Sequence, residues 1–166
     1  MKIPFISKSL LLMAFLVLVG FTVSCDNADE EGFVANRTEL NQAWQLIGYG
    51  SGTSFYMIDE EFRKEDEIYG FRFFLYFRND GTFEGRDAIN GFWGTYTCKK
   101  GKIKINDIVS TLKGYPKGYE ESLEFLSRFQ NSTSYGIKDG NKLRIYSSEK
   151  EYLYFEAMEK PWYIEQ

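Results

Sequence analysis

The chain has 166 residues, 43% of them hydrophobic and 27% charged, enough for one domain with a real core behind a processed leader. Its formal charge of −4 excludes a nucleic-acid binder that works through phosphate contacts, which needs a basic face. There is no histidine, so the commonest general base near neutral pH and the commonest metal ligand are both missing.

Lys2 and Lys8 make a basic start, and Leu10 to Val19 is an unbroken apolar run. So short a run has the form of a secretory signal, since a spanning helix needs about 20 apolar residues. The break that follows, Thr22-Val23-Ser24-Cys25, resembles the lipobox of bacterial lipoproteins, with Thr22 standing where leucine is usual. Residues 1–24 are therefore expected to be a lipoprotein signal peptide, and Cys25 the lipidated mature N-terminus. A single acyl chain binds a bilayer marginally, and two or more anchor stably. Loss of the leader lysines leaves 18 basic and 24 acidic side chains, a charge of −6. With Cys25 acylated, Cys98 has no disulfide partner and the domain must stand on its core.

Asp26 to Gly32 carries Asp29, Glu30 and Glu31 and is too polar to pack, so residues 25–36 read as an acidic tether. Such a run also resembles the export signal of surface lipoproteins in the Bacteroidota. The expected location is the cell envelope, lipid-anchored at the outer membrane, on its surface or its periplasmic face.

The remaining residues, 37–166, are rich in aromatics (15 Phe, 12 Tyr, 3 Trp), which suit a half-buried pleated surface. Gln42 to Gly48 is a first strand, after which Gly48, Gly50 and Gly52 are expected to loosen the chain. Phe55 to Tyr69 reads as a weak strand and a solvated acidic excursion. Tyr69 to Arg78 alternates with period two, placing Phe71, Phe73, Leu75 and Phe77 on a core face. Asn79-Asp80-Gly81 is a hairpin turn leading to Thr82–Gly85. Gly91–Cys98 and Lys102–Ile105 pair next, across Lys99-Lys100-Gly101. Tyr119 to Gln130 is the helix, with Leu123, Leu126 and Gln130 on one flank and Phe125 and Phe129 at i,i+4. Thr133–Ile137 and Leu143–Tyr146 flank Asp139-Gly140-Asn141, and Tyr152–Ala157 closes. The fold class is α+β, mostly β: a small antiparallel sheet or barrel with one packed helix.

This order of features, from Trp44-x-Leu46 through Asp80-Gly81-Thr82-Phe83-Glu84-Gly85, Gly94-x-Tyr96 and Asp139-Gly140-Asn141-x-Leu143, resembles the META domain of HslJ-type lipoproteins. The similarity runs from about Ala43 to Ala157. Asn90 matches the last residue of a family Gly-Cys-Asn triplet, but the cysteine is absent, as is the family's Met-Ala-Cys segment before the helix. No family disulfide carries over. The resemblance implies a β-rich fold and a cell-envelope role linked to stress, antibiotic tolerance and secretion, without an established catalytic activity.

Site candidates are few. Phe74, Tyr76 and Trp93 fall on the outward alternation and form a candidate binding face for a protein or glycan partner. Asp59, Glu60, Glu61, Glu65, Asp66 and Glu67 read as a solvated face, since neither the calcium-loop spacing nor a cleft geometry is present. Cys98 reads as a packing residue. No catalytic residue, metal site or cofactor is expected, and the leading reading is a non-enzymatic, membrane-anchored binding or stress-protection module. A lipocalin-like carrier would need an open cavity lined by Phe71, Phe73, Tyr96 and Tyr154. A carboxylate-based glycan hydrolase would need two acidic side chains facing each other across a cleft.

Overall fold

The computed structural model describes residues 32–63, 70–111 and 113–161; the signal peptide, Cys25, the tether up to residue 31, and Glu65, Asp66 and Glu67 lie outside them. Nine strands form one antiparallel sheet: β1 (Ala43–Ser51), β2 (Ser54–Met57), β3 (Phe74–Phe77), β4 (Thr82–Arg86), β5 (Gly91–Lys99), β6 (Lys102–Ser110), β7 (Ser134–Lys138), β8 (Lys142–Tyr146) and β9 (Glu151–Met158). The order is β2-β1-β3-β4-β5-β6-β7-β8-β9, and β1 also pairs with β9. One edge of β1 lies along β9; the other is shared, Ala43–Gln45 with β3 and Gly48–Ser51 with β2. The sheet therefore closes into a barrel, with β2 as a flap outside the ring. The expected mostly β, α+β class holds, in its barrel form.

Turn chemistry sets the hairpins. Asp139 and Gly140 take φ of 54° and 68°, and Lys100 and Gly101 take 49° and 75°, the paired positive values of a tight two-residue turn. Asp80 accepts from both the N–H and the hydroxyl of Thr82, at 2.9 and 2.6 Å, fixing the β3–β4 turn. Those hydrogen bonds pull the Asp80 carboxyl below its ordinary pKa.

Elsewhere the structure departs from the sequence expectation. β1 runs on through Gly48 and Gly50, because the glycines make room for close neighbours. A Cβ on Gly50 would lie 2.0 Å from the Tyr152 ring. The expected long strand before Asn79 is cut to Phe74–Phe77 by Phe73, whose φ of 52° is strained for a bulky side chain. Phe73, Leu75 and Phe77 do enter the core, whereas Phe71 is only half-buried. Phe33 to Asn36, placed in the tether from sequence, pack on the barrel. Phe33 is buried, Val34 and Ile137 exchange two hydrogen bonds of 2.8 Å, and Asn36 caps α1 (Arg37–Leu40).

Helix α3 (Glu120–Gln130) fills the barrel. Phe129 lies 5.0 Å from Phe83 and 6.2 Å from Phe77 between ring centroids; Phe125 lies 5.6 Å from Phe92 and 6.2 Å from Phe155. The buried stripe is Ser122, Phe125 and Phe129; of the flank formed by Leu123, Leu126 and Gln130, Leu126 packs partly against the core and Leu123 and Gln130 are exposed. Arg128 ties the helix to β1 and β9, donating to the Gly50 carbonyl at 2.8 Å and standing 3.8 Å from the Glu151 carboxylate.

Candidate functional site

The expected aromatic face is only partly present. The registers Tyr76↔Glu84, Glu84↔Trp93 and Trp93↔Val109 place these four side chains in one outward row across β3 to β6. Trp93 is 48% exposed, whereas Phe74 is 2% exposed and is withdrawn from the face as a correction. Phe74 points to the outer side of the sheet yet lies outside the main core cluster, so alternation located it correctly and misjudged its cover. Tyr76 is half-buried, with the Arg78 guanidinium and the Lys160 ammonium each 5.1 Å from its ring centroid. Arg78 also pairs with Glu84 at 2.6 Å. Of the three predicted residues, Trp93 alone offers an open ring.

A larger exposed apolar surface lies on β2, where Phe55, Tyr56 and Met57 are 44%, 55% and 61% exposed. It borders a groove of about 430 Å³ at the N-terminal end of α3, lined by Tyr56, Phe62, Asp59, Glu61 and Glu121 among others. Its floor is aromatic: Phe62 packs 5.5 Å from Phe73 and 5.3 Å from Tyr119. Its wall is held by hydrogen bonds. The Tyr49 hydroxyl donates to the Glu121 carbonyl at 2.8 Å, and the Tyr56 hydroxyl to the Glu121 carboxylate at 3.3 Å. Tyr49 and Tyr56 stack with centroids 6.1 Å apart. Desolvation, reinforced by Glu121, raises both hydroxyl pKa values, so these phenols stay protonated donors. Asp59 and Glu61 of the predicted acidic face are exposed, as the solvated-face reading expects, and line this concavity. Asp59 accepts the Glu61 N–H at 2.8 Å at the start of α2 (Glu60–Arg63). Among the described residues no group of three His, Cys, Asp or Glu is arranged to hold a metal ion.

The lumen is not open. Phe73, Tyr96, Phe125 and Phe129 are all buried in one aromatic cluster, and Tyr154 lies on the outer side, edge-on to Phe55 at 5.7 Å. A carrier needs space where these rings stand, so the structure does not support the lipocalin-like alternative.

A family model for the META domain matches residues 38–159, most of the chain. The chain belongs to the META domain family. The fold agrees with two solved structures. One, the NMR structure of a protein from Burkholderia xenovorans, aligns with a TM-score of 0.57 at 13% identity, covering 72% of this chain and 83% of that one. The other, a crystal structure of a DUF4847 family protein from Bacteroides vulgatus, aligns with a TM-score of 0.51 at 16% identity, covering 74% and 96%. At such identities the likeness is one of fold. No curated protein matches the chain.

In this META domain Asn90, the residue retained from the family triplet, has a clear structural task. Its side chain accepts from the Lys113 N–H at 2.9 Å and the Thr111 hydroxyl at 2.8 Å, and donates to the Lys113 carbonyl at 2.9 Å. Asp87, fully buried, accepts from the N–H groups of Ile89 and Asn90 and from the Tyr115 hydroxyl. Together they latch the β4–β5 turn to the segment that leads into α3. Desolvation, then the hydrogen bond to Asp87, pushes the Tyr115 pKa up to about 12. The sequence signal for this latch was the Asp87-x-x-Asn90 spacing, an Asx-type turn. It does not announce the distant partner, Lys113. Cys98 packs against the core, its thiol 3.2 Å from the Tyr135 hydroxyl, as the packing reading expects.

Proposed function

We propose that this META domain protein is a non-enzymatic lipoprotein of the cell envelope, anchored at Cys25 to the outer membrane, which binds a partner at the groove beside β2. The Lys2/Lys8 start, the Leu10–Val19 run and the Ser24-Cys25 junction support the anchor. The observation that carries the binding role is the exposed Phe55-Tyr56-Met57 strand bordering a groove with three carboxylates. Large aromatic surface at a concavity is the form of a binding hot spot. The carboxylates of Asp59, Glu61 and Glu121 select a cationic segment, which favours a basic stretch of protein over a neutral glycan. A non-enzymatic role is consistent with the absence of histidine and with the use of Asp87, a fully buried carboxylate, in turn and latch bonds.

Two measurements test this. Fatty-acid labelling should mark the wild type and not Cys25→Ala; equal labelling removes the anchor. A photo-crosslinking residue placed at Tyr56 in cells should trap a discrete adduct that Glu121→Gln weakens. An adduct from position 93 and none from position 56 would move binding to the Trp93 row.

A further inference from the structure

At the opposite end of α3 a second groove, of about 360 Å³, opens where β6 and β7 meet at one paired position, Lys102↔Ser134. Lys99, Lys102 and Lys104 line it together with Thr97, Ser132 and Thr133, and no carboxylate does. Lys99 stands directly across from Lys102, and Lys104 across from Thr97, so the three ammonium groups leave the same outward face. Like charges set directly opposite weaken a strand pair. Here none of the three forms an ion pair among the described residues. Lys100, in the turn, adds a fourth exposed cation. This is an unbalanced cationic patch on a chain whose net charge is −4.

The chain enters the fold beside this patch. Val34 pairs with Ile137, and a Cβ on Gly101 would stand 3.1 Å from the Ala35 Cβ. Phe33 lies only eight positions after Cys25, a reach of at most about 28 Å.

We propose that the Lys99–Lys102–Lys104 groove docks on the phosphate headgroups of anionic phospholipids in the bilayer that holds Cys25. The proposal rests on the lipoprotein reading above. It turns the lysine end of the barrel toward the membrane and leaves the β2 groove facing away. Lysine suits this task because an ammonium is a point charge that meets a phosphate without fixed geometry. An anionic surface repels a net-negative protein overall and attracts this cationic patch. The rival occupant is the acidic tether itself, which carries Asp26, Asp29, Glu30 and Glu31.

The test uses the processed chain from residue 25 with Cys25→Ser, so that no lipid contributes, and vesicles of phosphatidylcholine alone or with 30% phosphatidylglycerol. Sedimentation should show binding to the anionic vesicles only. Each surface lysine multiplies partitioning roughly fivefold, so K99Q/K102Q/K104Q should lose on the order of 100-fold, while K117Q, beside the N-terminal end of α3, should not. The triple variant should melt no lower than the wild type, which separates lost binding from unfolding. Equal binding to both vesicles, or an unchanged triple variant, overturns the proposal. So does binding that emerges only in D26N/D29N/E30Q/E31Q, because the groove then belongs to the tether. Fatty-acid labelling of Cys25 reads the anchor separately, so failure there leaves the vesicle result intact.

Discussion

The two ends of α3 carry opposite charge and use it differently. At the N-terminal end the carboxylates are built into the structure. The Glu121 carboxylate accepts from the Tyr56 hydroxyl, the Asp59 carboxylate from the Glu61 N–H, and Glu120 and Glu121 sit where the helix dipole favours anions. At the C-terminal end, about 16 Å away along an 11-residue helix, the lysines of β5 and β6 take no such part. Charge that does internal work resists replacement for reasons of stability. Charge that does no internal work faces outward and can be replaced without loss of stability.

The largest expected effect comes from what joins the two ends. Phe129→Ala removes a ring packed against Phe77, Phe83 and Phe92 and should cost about 3–5 kcal/mol in denaturant unfolding. A cost below about 1 kcal/mol would mean that α3 is not the barrel's core. Asn90→Ala breaks only the N-terminal end. It strips the Lys113 N–H and carbonyl of their partner and should cost about 1–3 kcal/mol, with the Lys99–Lys102 hairpin keeping its hydrogen-exchange protection. Equal loss of protection at both ends would make them one cooperative unit.

Alkaline unfolding separates the ends more finely. Tyr115 titrates near pH 12 when folded and near pH 10 when unfolded, so between these values the folded state holds a proton that the unfolded chain has released. Its contribution is present below about pH 10 and is lost as pH rises through that window. Tyr115→Phe should flatten the decline by up to one proton. Tyr135, at the other end, is raised chiefly by burial, so Tyr135→Phe should act in the same direction. A decline of unchanged slope in both variants would show that neither phenol is held neutral by the fold. The smallest effect should come from Lys99→Glu, which converts a like-charged cross-strand pair into an opposite one. It should raise stability by about 0.2–1 kcal/mol and make it fall with added salt. Destabilisation would show that Lys99 already has an internal role.

Much of the local structure was readable from residue types alone. Gly81, Gly101 and Asp139-Gly140 mark turns through their tolerance of positive φ, and that preference is intrinsic to the residues. Phe73, Leu75 and Phe77 were assigned inward by alternation, which a pleated strand imposes whatever surrounds it. The site was less legible. Trp93 was found as an open ring, but Phe74 was not recognised as covered. Nothing in the β2 region signalled a groove, because its lining joins Tyr56 and Phe62 to a helix more than fifty residues further along.

What the sequence determined by itself was therefore local: turns, strand phase, the helical segment, and the META pattern that names the family. The tertiary structure alone decided which helix stripe is buried, that Gly48 and Gly50 extend β1 where they were expected to end it, that β1 and β9 close the barrel, and that charge divides between the two ends of α3. The reason is range. Backbone preference acts over a few residues, whereas lumen width and the location of charge arise from contacts between segments far apart in the chain.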